Sequence, residues 1–223
     1  MRPSVYIPMS TYVLIHGAGS DAWYWHLVAP QLEARGHDVV AVDLPCDDDT
    51  AGFEQYADVV VKAAASHDDI VLVAQSLGGF TAPLVCERLD VELLVLVAAM
   101  VPRPGEPAGE WWANTGHVFP EPFDPEVVFL HDVPADVAAA SIAHVRDQSG
   151  APFAAPWPLE QWPDVPTRFL LCRDDRFFPA DFQRRVVRER LGFEPDEMRG
   201  GHLPALAHPN ELVERLESYR LSV

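Results

Sequence analysis

Short apolar runs alternate with amphipathic stretches along most of this chain. Tyr12–Ile15, Val39–Leu44, Ile70–Ala74, Leu93–Ala98 and Phe169–Cys172 are compact runs of the kind shown by strands buried on both faces. Between them, Ala22–Arg35, Phe53–Ala65, Gly79–Arg88 and Ala180–Leu191 space their apolar residues as helices do, and Gly36 supplies a stop after the first. Glu194–Met198 reads as a short strand and Asn210–Tyr219 as a final helix. Pro195 points to a sheet edge for that strand, because proline cannot donate to a ladder. Strand and helix in alternation predict an α/β fold: a doubly wound, mainly parallel sheet of about six strands, covered on both faces.

The rhythm breaks between Pro102 and Pro166, where prolines and aromatics accumulate from Trp111 to Trp162 and only Asp136–Arg146 looks helical. A structureless loop of that length does not suit a compact domain. The pattern therefore predicts a small helical cap over residues 102–165, inserted into a core made of 1–101 and 166–223. Its aromatics either line an apolar concavity for a ligand or fasten the cap to the body. Residues 1–8 carry no periodic signal and read as a loose arm, unless the protein starts at Met9, where the first strand opens.

Length and composition narrow the classes of function. With 223 residues the chain can bury one substantial core but not two full domains. Its net charge of −18 repels nucleic acid and anionic lipid, so neither is expected as a partner. There is no basic segment leading into a long apolar run, and no apolar stretch reaches about 18 residues, which predicts a soluble, cytoplasmic protein. Cys46, Cys86 and Cys172 lack C-x-x-C spacing and sit in or beside apolar stretches, as buried free thiols of a reducing compartment would. Asp47-Asp48-Asp49 reads as a solvated run of like charge, without the convergent partners a metal needs. No metal or cofactor is expected.

The strongest chemical signal is Ala74-Gln75-Ser76-Leu77-Gly78-Gly79, at the end of the run Ile70–Ala74. It matches G-x-S-x-G with alanine in the first place, a sharp strand-to-helix turn that raises a serine hydroxyl above a sheet. A serine is a weak nucleophile until a base takes its proton. Of the nine histidines, His202 has the right place in chain order, in a glycine-rich loop between the last strand and the last helix. His26, His37 and His67 read as surface positions. The carboxylate that fixes the imidazole tautomer should follow Phe169–Cys172. Asp175 is favoured over its neighbour Asp174, because a turn beyond the strand end is needed to aim at the histidine loop. For the oxyanion, the Leu77 amide at a helix N-terminus is one donor, and the Ala18 amide in His16-Gly17-Ala18-Gly19 is the natural second.

The stretches His16-Gly17-Ala18-Gly19 through Trp23-Tyr24-Trp25, Gly36-His37-Asp38-Val39 and Val42-Asp43-Leu44-Pro45 resemble α/β-hydrolases of the plant methyl-esterase and hydroxynitrile-lyase group and their bacterial relatives. The resemblance covers most of the chain apart from the cap. It implies Ser76 as nucleophile, Asp175 as acid and His202 as base, with the Ala18 and Leu77 amides as oxyanion hole. In the lyases a threonine follows the histidine of the first turn and a lysine follows the catalytic histidine. Gly17 and Leu203 stand there in this chain, so no cation is present to hold departing cyanide.

The expected activity is that of a serine carboxylesterase acting on a small hydrophobic ester, with Trp112 and Leu203 in the substrate pocket; a homodimer is allowed. Three alternatives stand beside it. One is a hydrolase-like sensor of a small ligand. Another is different chemistry in the same site, such as carbon–carbon hydrolysis, cofactor-free oxygenation or lyase action. The third is an NAD-dependent reductase, since Gly17-Ala18-Gly19-Ser20-Asp21-Ala22 matches G-x-G-x-x-A with Asp43 about 20 residues on. That last reading leaves the Ser76 turn and the His202 loop unexplained.

Overall fold

The computed structural model describes residues 9–223, so the arm expected at residues 1–8 lies outside the described residues. Six strands, β1 (Thr11–Ile15), β2 (Asp38–Val42), β3 (Ile70–Gln75), β4 (Val91–Val97), β5 (Thr167–Cys172) and β6 (Asp196–Met198), form one sheet in the order β2-β1-β3-β4-β5-β6. Every pairing is parallel, and β6 occupies an edge as Pro195 implied.

The strands are apolar throughout because both faces are buried, and their side chains divide by alternation. Val13, Ile15, Leu72, Leu94 and Leu171 join the core beneath α2 (Phe53–Ala64), α3 (Gly78–Cys86) and α8 (Ala180–Leu191). Tyr12, Leu14, Val71, Val95 and Leu170 join the opposite core, which α10 (Pro209–Arg220) covers through Leu212, Val213 and Leu216.

Element bounds shift in physically traceable ways. The single helix expected over Ala22–Arg35 is a 3-10 turn at Ala22–Trp25 followed by α1 (Ala29–Glu33). Pro30 lacks an N–H and fits best in a first helical turn, and the helix restarts there. Pro83, by contrast, lies inside α3. His37, read as a surface position, is buried: its Nδ1 accepts the Ser10 amide at 3.2 Å and its Nε2 meets the Glu217 carboxylate. Cys46 and Cys172 are buried free thiols, and Cys86 is half-buried and free.

Between β4 and β5 the chain runs through α4 (Trp111–Thr115), α5 (Pro125–Phe129), α6 (Ala135–Ser141), a 3-10 turn at Ile142–His144 and α7 (Ala151–Ala154). The predicted helix Asp136–Arg146 thus ends sooner, at Ser141. Trp111 and Trp157 are sunk into the main core, with their indole N–H groups donating to the Val101 and Phe80 carbonyls at 3.0 Å each. After β6 come α9 (Pro204–Ala207) and α10. No helix among the described residues is long and apolar enough to cross a membrane.

Candidate active site

The strand order reverses direction at β1 and β3, and the loops leaving their carboxyl ends face one another there, where open parallel sheets hold ligands. Ile15 at the end of β1 registers with Ala74 of β3, which sets the His16–Gly19 loop beside the Ser76 turn. At the far side, Cys172 of β5 registers with Met198 of β6, so the loops carrying Asp175 and His202 also emerge side by side.

Ser76 follows β3 directly and sits at φ 51°, a left-handed conformation that L-residues adopt only under constraint. The constraint comes from both flanks. The Ser76 amide donates to the Val97 carbonyl at 3.3 Å, and the Ser76 carbonyl accepts from Met100 and Gly79 at 2.9 and 3.1 Å. Gly79 has no alternative in this turn, since a Cβ on it would lie 1.9 Å from the Met100 carbonyl oxygen. A Cβ on Gly78 would meet the His16 carbonyl oxygen at 3.2 Å.

His202 Nε2 lies 3.0 Å from Ser76 Oγ, and His202 Nδ1 lies 2.8 Å from Asp175 Oδ2. All three residues are buried, at 8%, 3% and 4% exposure for Ser76, His202 and Asp175. The second oxygen of Asp175 accepts the Phe177 and Phe178 amides at 2.8 Å each, which aims the other at the imidazole. With the carboxylate on Nδ1, the ring carries its proton there and offers Nε2 to the serine as acceptor. Asp174, the rival, instead accepts the Gly200 amide at 2.9 Å and braces the histidine loop from outside. The rings of Phe129, Phe177 and Phe178 stand 4.9–5.5 Å from the imidazole and exclude water from its flank.

A cavity of about 490 Å³ opens above Ser76. Ala18, Ser76, Leu77, Trp112, His202 and Leu203 all line it, and Asp175 lies behind His202. Among the described residues, neither the Ala18 nor the Leu77 amide donates to a protein acceptor. His16 holds the first loop in shape: its Nε2 accepts the Leu44 amide at 3.1 Å and its Nδ1 meets the Gly17 carbonyl at 2.7 Å. Burial pushes the His16 imidazole below its ordinary pKa and keeps it neutral, as those two bonds require. A Cβ on Gly17 would lie 2.3 Å from Gln75 Oε1 and 2.9 Å from the Ser76 Cβ, so a larger residue cannot enter without displacing Gln75.

Sequence reasoning offered Phe129 only as one of the cap's aromatics and did not single out Phe177, Gln75, Gln148 or His144 at the site. Phe129 and Phe177 wall the cavity, Gln75 donates to the His202 carbonyl at 3.0 Å, and Gln148 and His144 line the rim. Phe177 could have been found from its place two residues beyond Asp175; Gln148 carries no local signal.

An elbow serine with a histidine and a carboxylate, at the carboxyl end of a parallel sheet, defines the α/β-hydrolase class. The chain belongs to the alpha/beta hydrolase family, which it matches over residues 12–215. It is similar to methylesterase 7 of Arabidopsis thaliana, at 27% identity over 90% of this chain and 92% of the relative. It also resembles polyneuridine aldehyde esterase of Rauvolfia serpentina, at 24% identity over 92% and 93% of the two chains. A crystal structure of polyneuridine aldehyde esterase superposes with a TM-score of 0.81 at 21% identity, covering 97% of this chain and all of the other.

Proposed function

We propose that this protein is a serine carboxylesterase acting on a small, uncharged, largely apolar ester. The observation that carries the reading is the continuous chain from Ser76 Oγ through His202 to Asp175, at 3.0 and 2.8 Å, opening onto a mostly apolar cavity. Ser76 Oγ attacks the acyl carbon while its proton passes to His202 Nε2. The Ala18 and Leu77 amides stabilise the resulting oxyanion. Collapse breaks the bond to the alkoxy oxygen, which takes the proton from His202 and leaves as alcohol. Water then gives a proton to His202 and attacks the acyl-enzyme, and the acid departs as Ser76 recovers its proton. Asp175 keeps the imidazole in the productive tautomer throughout.

The relatives named as methylesterases favour a small alcohol portion for the substrate. The volume and lining of the cavity then fit the acyl portion. Residues 102–165 act as the cap of a core made from 1–101 and 166–223, with Trp112 and Phe129 supplying its wall. Lyase action is disfavoured by Leu203, which puts an apolar side chain where a cation would be needed. Free cysteines and a net charge of −18 suit a cytoplasmic protein that binds neither nucleic acid nor anionic membranes.

The test is hydrolysis of p-nitrophenyl esters of graded chain length by the parent and by Ser76→Ala. Turnover that disappears in the variant supports the reading, and the chain-length optimum measures the cavity. Tight binding of an apolar ligand without turnover of any ester would replace it with a sensor.

A further inference from the structure

The run Asp47-Asp48-Asp49 is exposed, as its like charge implied, and the partners of two of its carboxylates lead to a group in the site that the mechanism above does not use. Arg146 donates to both oxygens of Asp47 at 2.8 Å, which holds that carboxyl below the usual range. Ser149 donates its amide to the Cys46 carbonyl at 2.7 Å and its hydroxyl to Asp49 at 2.9 Å. His144 Nδ1 meets Asp21 Oδ2 at 2.8 Å, and its ring stacks on Trp23 at 4.3 Å between centroids. The segment 144–149 is thus a strap fastened to the two core loops that follow β1 and β2.

The strap closes on Gly19, the residue after Ala18 in the loop that follows β1. Both of its backbone groups are taken: its carbonyl accepts the Arg146 amide at 3.0 Å, and its amide donates to Gln148 Oε1 at 3.2 Å. The Gln148 amide group is itself held, donating to the Tyr56 hydroxyl and the Ser149 carbonyl at 3.1 Å each. Gly19 is at φ 62°, a region that glycine enters freely, so its own torsions restrain the loop little and the two hydrogen bonds do the fixing. On its other side the peptide that carries the Ala18 N–H is held through its own carbonyl, Gly17 O, which meets His16 Nδ1 at 2.7 Å, and Gly17 is packed against Gln75 and Ser76. The direction of the Ala18 N–H is therefore set from two sides, one of them the strap.

We propose that Gln148 is a positioning residue for the oxyanion hole: through Gly19 it holds the Ala18 amide in line with the charge that develops above Ser76. The inference rests on the ester-hydrolysis reading. Loss of an oxyanion donor costs about 10²–10³ in kcat, and loss of its alignment should cost part of that.

The experiment compares the parent, Gln148→Ala and Tyr56→Phe on the best p-nitrophenyl ester. It also measures binding of an alkyl boronic acid, which forms a tetrahedral adduct on Ser76, and of the product carboxylate. Gln148→Ala should lower kcat about 10- to 100-fold with KM within about threefold, and weaken the boronate by a similar factor while the product binds as before. Tyr56→Phe should reproduce a smaller version of the same split, and the double variant should lose little beyond Gln148→Ala. If Gln148→Ala does not fold, the boronate-to-product ratio in Tyr56→Phe decides alone. A rise in KM with kcat intact, or equal weakening of boronate and product, would make Gln148 only a piece of cavity wall. A parent that neither hydrolyses esters nor binds the boronate overturns the ester reading, and the inference with it.

Discussion

The carboxylate of Asp132 accepts the amide proton of Gly201 at 2.6 Å, reaching from the segment between β4 and β5 into the loop that carries His202. A Cβ at position 201 would lie 2.7 Å from Asp132 Oδ1 and from His131 Nε2, so a larger residue there would have to push these side chains aside. Asp132 also faces His208 Nε2 at 3.4 Å. A hydrogen bond to a charged acceptor contributes about 1.5–3 kcal/mol, and here it restrains the base of the proposed triad. Asp132→Ala should therefore lower both the melting temperature and kcat, the latter roughly tenfold by loss of imidazole alignment. Asp132→Asn, which keeps an acceptor oxygen, should recover most of the rate. Steady-state kinetics on the three proteins checks this, and equal rates in all three would refute it.

Two adjacent carboxylates do different work, and exchange should reveal it. Asp175 is buried against His202 Nδ1, whereas Asp174 is exposed and holds the loop backbone through Gly200. Asp175→Asn presents an amide where the imidazole needs an acceptor and favours the wrong tautomer, so kcat should fall by roughly 10³–10⁴. Asp174→Asn retains an oxygen for the Gly200 amide and should cost less than about tenfold. The reverse order would move the acid by one position.

The three residues of the proposed triad are legible in the chain because each lies just beyond a strand's carboxyl end. Ser76 directly follows β3, and Asp175 and His202 stand three and four residues past β5 and β6. Local pattern is enough to place such residues, since strand ends in a parallel sheet share one edge. The same logic fails where the partner is remote. Nothing near Asp47 in the chain points to Arg146, 99 residues away, and the role of Gln148 depends on Gly19 at a separation of 129. These contacts arise from how the segment between β4 and β5 folds back, and that segment has no period to read. His37 misled for a similar reason, as its partner Glu217 is 180 residues distant.

Acid should weaken the fold through histidines that are neutral when buried. His117 is pressed among Trp111, Trp112, Phe177 and Phe178, and its Nε2 meets the Phe177 carbonyl at 2.7 Å. Burial pushes His117 below its ordinary pKa, more than the Phe177 carbonyl and the Asp175 charge raise it, and His16 is lowered by burial as well. A depressed folded pKa means that the unfolded chain binds the proton first. The contribution is complete above the unfolded value of about 6.5 and is lost as pH falls from there through the folded values. Melting temperature should therefore decline between pH 7 and pH 5.5. His117→Gln keeps a donor for the Phe177 carbonyl but cannot titrate, so its decline should be shallower without vanishing, because His16 still responds. An unchanged slope would rule His117 out as a contributor.

Arg190 and Glu106 form an ion pair that is almost wholly enclosed, at 1% and 4% side-chain exposure. The pair ties α8 to the chain just after β4. Arg190 donates to both Glu106 oxygens, at 2.5 and 2.9 Å, and to the Val101 carbonyl at 2.6 Å. Burial raises the Glu106 carboxyl, but the bonds from Arg190 and Asn114 outweigh it and bring the pKa below the ordinary value. Removing one partner strands the other charge without solvent, which costs about 3–5 kcal/mol, whereas removing both together costs much less. Arg190→Met should lose that amount, corresponding to a drop in melting temperature on the order of 10 °C. The double variant Arg190→Met, Glu106→Gln should be more stable than the single one, a coupling that a surface pair would not show. The consequence reaches the cavity because Asn114, which also holds Glu106 at 3.0 Å, shares α4 with Trp112. Arg190→Met should accordingly lose ester turnover at a lower temperature than the parent, and the double variant should regain part of that range. Purely additive losses in a denaturant-monitored cycle would show that the two charges do not act as a pair.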